Sequence, residues 1–478
     1  MITIDRRRTE SLSDQVCEGL LKLIGSRLLE RDRLPSVRQL ASTIQVSAWT
    51  VSEAYQRLLA QGVITSQPGS GYFVARAARS RDGEDPPTRH SSPLRPVNSV
   101  NFVRNAVDPG SHAMPVGSGF LPRSWMDKAI PASVVGRLLR EPLMTTPAPT
   151  HGLLELRRQL STKLSMAGIH APTEQIVTTF GVTHAIQLIC RHLLKPGDSV
   201  VIEDPSYMVQ QTQLRDAGAR LFAVPRRHDG PDLEALERIA REVRPRLVFT
   251  QGALHNPTGT TSSPANCYGL LSLAERHDFL LVEDDAFGDL APDTALRLAA
   301  LDAFRRVFYV GSFTKVLSPA VRVGFVVGPP GHVEGLIEQK VLGVLTGSSL
   351  QESVVSHTLR SGGYGMHVNR LRRKLAKSHH ASRLALSRAG VRFDPTASQG
   401  LFLWGEVPAS VDVERMHQQA HEEGILLTRG SIFSPTGAFE HHLRFNVAHA
   451  ADPRFLEFIQ RFTGGSSPRP TSLGEMGP

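Results

Sequence analysis

The sequence predicts two unlike units joined by a polar connector: a small helical head closed by a β-hairpin, and a larger α/β body on a mainly parallel sheet. Three observations carry this. At 478 residues the chain is several times the usual domain length, so a single core does not account for it. Residues 1–76 run helix, helix, turn, helix and hairpin, whereas residues 101–463 alternate short apolar strands with amphipathic stretches. Between them, residues 77–100 are rich in Arg, Ser, Pro and Asp, as in RDGEDPPTRHSSPLRP, and read as a flexible linker because so few apolar side chains cannot bury a core.

In the head, Leu12, Val16, Leu20 and Leu23 have helical spacing within residues 11–29, with Ser11 or Ser13 available as N-cap. After Pro35, Ser36 caps a short helix burying Val37, Leu40, Ala41 and Ile44. A turn at Gln45 and Val46 follows, and Ser47 caps a third helix over residues 48–61 whose inner face is Val51, Ala54, Leu58 and Leu59. Residues 63–66 and 72–74 are β-like, joined by Gln67-Pro68-Gly69-Ser70-Gly71. This order spells a winged helix-turn-helix. Its polar face offers Ser47, Trp49, Thr50, Ser52, Gln56 and Arg57, with Ser36 and Arg38 early in the bracing helix and Gly69 in the wing; the alternative is a solvated surface on a small helical domain. Trp49 is unusual there and reads equally as core or as an oligomer contact.

Charge and composition agree with such a partition. The chain carries +9 formally, and residues 1–80 hold eleven Lys/Arg against seven Asp/Glu, which suits a polyanionic partner. With 40% hydrophobic and 21% charged residues most of it is expected to fold. No apolar run reaches the ~18 residues of a membrane helix, and Arg6, Arg7 and Arg8 precede a polar stretch, so neither anchor nor secretory signal is expected. Cys17, Cys190 and Cys267 are too few and too scattered for a disulfide framework or a metal site and point to a reducing cytoplasm. The final stretch, 464–478, lacks apolar periodicity and reads as a disordered tail.

In the body, residues 199–202, 246–250, 279–283, 307–310 and 323–327 are the expected strands. Only eight residues are lysine, and one stands apart: Lys315, in YVGSFTKVLSPAVRVGF, follows a strand, has Ser312 before it and Arg322 after it. A lysine that forms an imine with pyridoxal 5′-phosphate needs such hydroxyls and cations, because the cofactor brings a dianion. The ring nitrogen needs a carboxylate, and Asp284 ends the apolar strand of FLLVEDDAFGDL, although an Asp after a strand is also a common helix N-cap. Phe180-Gly181-Val182-Thr183-His184 precedes an apolar helix expected over 185–194 and presents free N–H groups to a phosphate. Tyr207 in EDPSY is suited to stack on the ring, Asn256 in HNPTG to donate to its phenolate oxygen, and Arg444 in HHLRFNVA to pair bidentately with a carboxylate; turn chemistry and a surface ion pair are the plain alternatives for the last two.

On these motifs the head, over RLPSVRQLASTIQVSAWTVSEAYQRLLAQGVITSQPGSGYFV, resembles the DNA-binding domain of GntR-family bacterial regulators, which commonly carry Arg where Trp49 stands. The body, over about residues 115–462, resembles a fold-type I aminotransferase. The fusion is similar to the MocR/GabR-type regulators. The resemblance implies Lys315 as the Schiff-base lysine, Asp284 as partner of the ring nitrogen, Asn256 and Tyr207 on the ring, Gly181, Val182, Thr183, Ser312 and Arg322 around the phosphate, and Arg444 as carboxylate clamp. The family commonly has Tyr shortly after the Asp, and Phe287 stands at that place; the missing hydroxyl is expected to raise the imine pKa or leave Asn256 as the only donor, and so to slow transamination.

The resemblance further implies a bacterial, cytoplasmic, nucleoid-associated homodimer on double-stranded promoter DNA, sensing the cofactor or an amine or amino-acid effector through an external aldimine. Physiological transaminase turnover is then slight or absent. The other readings are a working aminotransferase with an incidental head, which the intact winged helix disfavours, and a cofactor-free dimerisation body, which Lys315, Asp284 and Asn256 disfavour.

Overall fold

The computed structural model describes residues 12–26, 32–60, 63–67, 71–74, 102–104, 114–127, 129–394 and 399–464. Two compact units divide the chain, residues 1–92 and 93–478. The stretch expected as linker, 77–100, lies outside the described residues, as do 465–478. The last helix, Pro453–Thr463, is closed by Gly464 as C-cap at φ 68°. Among the described residues no helix is long and apolar enough to cross a membrane, and no group of three or more His, Cys, Asp or Glu is arranged to hold a metal ion.

The head is α1 (Leu12–Ser26), α2 (Val37–Ile44), α3 (Ala48–Ala60) and the antiparallel pair β1 (Ile64–Gln67) and β2 (Gly71–Val74). Its core joins Val16, Leu20, Leu40, Val51, Ala54 and Leu58, the inward stripes of three helices, with Leu34 and Ile64. Tyr55 is buried among them although its polar end made it an unobvious core residue; its hydroxyl donates to Pro35 O at 2.7 Å, so the buried phenol is satisfied. Ser36 and Gln39 cap α2 reciprocally: Ser36 Oγ accepts from Gln39 N and Gln39 Oε1 accepts from Ser36 N. Ser36→Ala removes one of these bonds and is expected to cost about 1 kcal/mol of head stability, read as faster amide exchange in α2.

The body has an eight-stranded sheet in the order β3-β10-β9-β8-β7-β4-β5-β6, comprising β3 (Ile176–Thr179), β4 (Ser199–Asp204), β5 (Arg220–Arg227), β6 (Gly230–Pro231), β7 (Leu247–Thr250), β8 (Leu280–Asp284), β9 (Val307–Ser312) and β10 (Gly324–Val327). From β9 through β8, β7 and β4 to β5 all pairings are parallel; β10 is antiparallel to both neighbours. Successive strand residues serve opposite faces. Val200, Ile202, Leu247, Phe249, Phe308 and Val310 pack beneath the helices Val182–Leu193 and Val333–Val344, while Val201, Val248, Leu281 and Val307 belong to the larger core on the other side. Both faces are therefore apolar, as a sheet sandwiched between helices requires. A smaller antiparallel sheet follows, order β11-β12-β14-β13, from β11 (Arg392–Phe393), β12 (Phe402–Glu406), β13 (Thr428–Arg429) and β14 (His442–Asn446).

Candidate functional site

β3 and β9 are both antiparallel to β10, so they run with β8, β7 and β4, and the carboxyl ends of all five strands lie on one edge. That edge gathers the predicted residues: Gly181 follows β3, Tyr207 follows β4, Asn256 lies in the turn after β7, Asp284 ends β8, and Ser312 ends β9 with Lys315 just beyond.

At one end Gly181, at φ +81°, is the N-cap of the helix Val182–Leu193. The helix begins three residues earlier than its apolar run suggested; just ahead of it, His184 Nδ1 accepts from Phe180 N at 3.1 Å, and no side-chain bond caps the helix itself among the described residues. The N–H groups of Val182, Thr183 and His184 are thus first-turn donors. A Cβ on Gly181 would lie 3.2 Å from Arg322 Nη2, which donates to Phe180 O at 3.2 Å, so glycine serves both the backbone angle and the close approach. Ser312 Oγ accepts from Thr314 N and donates to Thr314 Oγ1, each at 3.1 Å. No carboxylate pairs with Arg322 among the described residues.

In the middle, Lys315 Nζ donates to Gly119 O at 2.9 Å and lies 4.1 Å from the centre of the Phe120 ring. Burial, helped by repulsion from Arg444 and Arg322 and only partly opposed by Asp284, lowers its pKa to about 7. The amine is therefore substantially neutral, and nucleophilic, at neutral pH. Asp284 is buried; its Oδ1 accepts from Ala286 N at 3.0 Å, and burial raises its pKa to about 6. It caps no helix, since the next element, Gly288–Leu290, has Phe287 at its N-cap. Phe287 does face the lysine, 5.8 Å from Nζ, with its ring edge-on to Phe402.

At the far end Arg444, on β14, is buried and is no surface ion pair. Its Nη1 donates to Asn256 Oδ1 at 2.8 Å, its Nη2 to Gly117 O at 2.6 Å, and its Nε has no partner among the described residues; burial lowers its pKa to about 9. Because Arg444 occupies the Asn256 carbonyl, the Asn256 amide nitrogen is turned elsewhere as a donor. Gln251 Oε1 accepts from Asn256 N at 2.7 Å and steadies the turn. Tyr207 lies within electrostatic reach of Arg444, Asp284 and Arg322, and burial raises its pKa.

The donor set fits pyridoxal phosphate: amide N–H groups, a hydroxyl and a guanidinium at one end, a buried carboxylate without a cationic partner, a half-neutral amine, and an amide aimed by Arg444. The profile of the aminotransferase class I and II family matches residues 111–462. The chain belongs to that family. Pyridoxal phosphate is the cofactor of this aminotransferase fold. The profile of the gntR family of bacterial regulatory proteins matches residues 12–74, so this aminotransferase-family chain carries a GntR helix-turn-helix and has the layout of a MocR-type regulator. It is 27% identical to an HTH-type transcriptional regulator of Bacillus subtilis, YdfD, over 90% of each chain. It is 30% identical to the probable rhizopine catabolism regulatory protein MocR of Rhizobium meliloti, over 79% of this chain and 77% of that protein. Its body resembles the crystal structure of LysN, the alpha-aminoadipate aminotransferase of Thermus thermophilus, complexed with N-(5′-phosphopyridoxyl)-L-leucine: TM-score 0.69, 27% identity, 76% of this chain and 94% of that one.

Sequence reasoning missed the Gly117 and Gly119 carbonyls, Phe120, Gln251, Thr314, Phe402 and Phe433. Gln251 and Thr314 had a signal, each standing beside a strand end or the lysine; the others arrive from distant segments. In the head, Arg38 is exposed on α2, and Ser36 and Ser47 are exposed but occupied as caps. Thr50 corrects the expectation of a DNA-facing side chain: it is buried, with Oγ1 2.8 Å from Ser47 Oγ, because a hydroxyl at the third helical position folds back onto the cap. Trp49 is 74% exposed, which removes the core alternative. Gly69 and the side chains of Gln56 and Arg57 lie outside the described residues.

The Lys315 pKa has a direct consequence. In cofactor-free protein the rate of cofactor attachment is expected to rise roughly tenfold between pH 6 and pH 8, as the ammonium loses its proton. Stopped-flow absorbance measures it; a rate still rising steeply above pH 9 would place the lysine at its ordinary value.

Proposed function

We propose that this protein is a transcriptional regulator that binds double-stranded promoter DNA as a homodimer in the bacterial cytoplasm, holds pyridoxal phosphate on Lys315 and responds to a small amine bearing a carboxylate. The observation that carries the reading is the pairing, in a chain with a GntR head, of a substantially neutral Lys315 with a buried Arg444 that has no carboxylate partner among the described residues. Gly181, Val182, Thr183, Ser312 and Arg322 would hold the phosphate, Asp284 would serve the ring nitrogen, Asn256 the phenolate oxygen and Tyr207 the ring. The bound cofactor supplies a carbonyl carbon that primary amines compete for.

An effector amine that competed with Lys315 for that carbon, with its carboxylate on Arg444, would leave effector-bound and free proteins different in charge and contacts at the site. That difference biases the body between two states. Phe287, lacking a hydroxyl, would offer the phenolate oxygen no donor, which favours a lasting effector complex over turnover.

Fluorescence titration of duplex DNA tests this. Affinity for the protein's own promoter should exceed that for random duplex, fall steeply with salt, and change when amines are added; Arg38→Ala should weaken it by about 5- to 150-fold, the equivalent of ~1–3 kcal/mol. Equal affinity for random DNA would overturn the DNA-binding assignment. Rapid transamination with DNA binding indifferent to every amine would establish the enzyme reading instead.

A further inference from the structure

Aromatic rings wall the space between Lys315 and Arg444. The Phe120 ring lies 4.1 Å and the Phe287 ring 5.8 Å from Lys315 Nζ. Phe287 meets Phe402 edge-on at 5.4 Å, and Phe402 and Phe433 lie 4.4 and 4.9 Å from the Arg444 guanidinium. Phe433 in turn meets Trp404 edge-on at 5.8 Å. The rings form a continuous wall from the amine to the clamp.

The charges in this cleft are few, and each would meet a counterpart once cofactor and effector are bound. Among the described residues, Lys315 and Tyr207 both sense Arg322, Arg444 and Asp284, and no further ionised side chain. A phosphate dianion takes Arg322, and a ring nitrogen takes Asp284. Arg444 is the one cation left for the effector, enough for one carboxylate. A second carboxylate would be stripped of water against phenyl rings with no donor to receive it. A second ammonium would join Lys315 and Arg444 where Asp284, the one carboxylate that Lys315 and Tyr207 sense among the described residues, would be taken by the ring nitrogen. An apolar or aromatic side chain, by contrast, gains contact area on the half-buried Phe120 ring, behind which Phe287, Phe402 and Phe433 are already buried.

Resting on the amine-sensing reading above, we propose that the effector is an amino acid with an uncharged, apolar or aromatic side chain, selected by the half-buried Phe120 ring beside Lys315. Selection comes from that ring and attachment from Lys315 and Arg444, so the two are separable by experiment.

The test titrates the cofactor-loaded protein with glycine, L-phenylalanine, L-leucine, L-aspartate and L-lysine, following cofactor absorbance and, independently of the cofactor's chemistry, the thermal midpoint. Phenylalanine or leucine is expected to half-saturate at a concentration at least about tenfold below glycine, as burial of several apolar groups demands, while aspartate and lysine gain nothing over glycine. Phe120→Ala should shrink the phenylalanine-to-glycine ratio severalfold; the ligand ranking on the unaltered protein keeps the test decisive if that variant does not fold. Aspartate or lysine binding more tightly than phenylalanine and leucine, or a ratio unchanged in a folded Phe120→Ala protein, overturns the proposal while leaving amine sensing intact. If no amine, glycine included, perturbs the absorbance, the sensing reading itself fails.

Discussion

Lys315→Ala is expected to abolish covalent attachment of pyridoxal phosphate while leaving the protein folded. The wild type should be yellow and yield, after borohydride reduction, a single modified peptide containing Lys315; the variant should show neither. The fold should survive because the lysine is itself a burden. Its folded-state pKa of about 7 lies below the ordinary lysine value, so between those two pH values the unfolded chain binds more protons than the folded one. Stability of the cofactor-free wild type therefore rises with pH across that window, and the cost is greatest below pH 7. Alanine relieves it, and the variant without cofactor should melt no lower than the wild type without cofactor at neutral pH. The competing candidate is Lys340, buried and with its pKa lowered to about 8, but its Nζ donates to Thr178 Oγ1 at 3.1 Å, whose hydroxyl in turn is held by Glu352. A trapped adduct on Lys340 would refute the assignment.

The second large effect is expected at Arg444. Arg444→Ala should weaken the response to carboxylate-bearing amines by about 30- to 3000-fold, the range for truncating one member of a buried, hydrogen-bonded charge pair, and should abolish the amine-dependent change in DNA binding. Covalent attachment of the cofactor should persist, since the phosphate cradle and Lys315 remain, while its absorbance shifts as Asn256 loses the contact that aims it. Arg444→Lys should restore little, because one ammonium cannot span both Asn256 Oδ1 and a bidentate carboxylate. Ethylamine, which has no carboxylate, is the control: its weak effect should be the same in wild type and variant. Glycine acting on Arg444→Ala as it does on the wild type would show that the guanidinium serves Asn256 and Gly117 alone.

Much of this was legible in sequence for reasons of local physics. The head's helices are bounded by Ser36, Ser47 and the αL residue Gln45, each acting through neighbours within a few positions. β7, β8 and β9 read as continuous apolar runs because both faces of that sheet are covered. Their carboxyl ends then located Asp284, Ser312 and Lys315. The short or mixed strands β3, β5 and β12 were silent, since a four-residue run such as Ile176–Thr179 has the same composition in many settings. The start of the helix at Val182 also escaped, because its N-cap is Gly181, which brings no familiar N-cap side chain.

The sequence by itself determined the two units, the order of their elements, and the identity of the residues able to hold a phosphate, a pyridine ring and an amine, because each is announced by a local pattern of apolar period, cap or strand end. Only the tertiary structure decided what state those residues are in and what surrounds them. Lys315 is neutralised by burial beneath rings from segments 195 and 28 residues away, Phe120 and Phe287. Arg444 aims Asn256 from 188 positions along the chain. Thr50 turns from the surface into its own helix cap. Desolvation and side-chain direction depend on which distant atoms arrive to exclude water, and no local pattern encodes that.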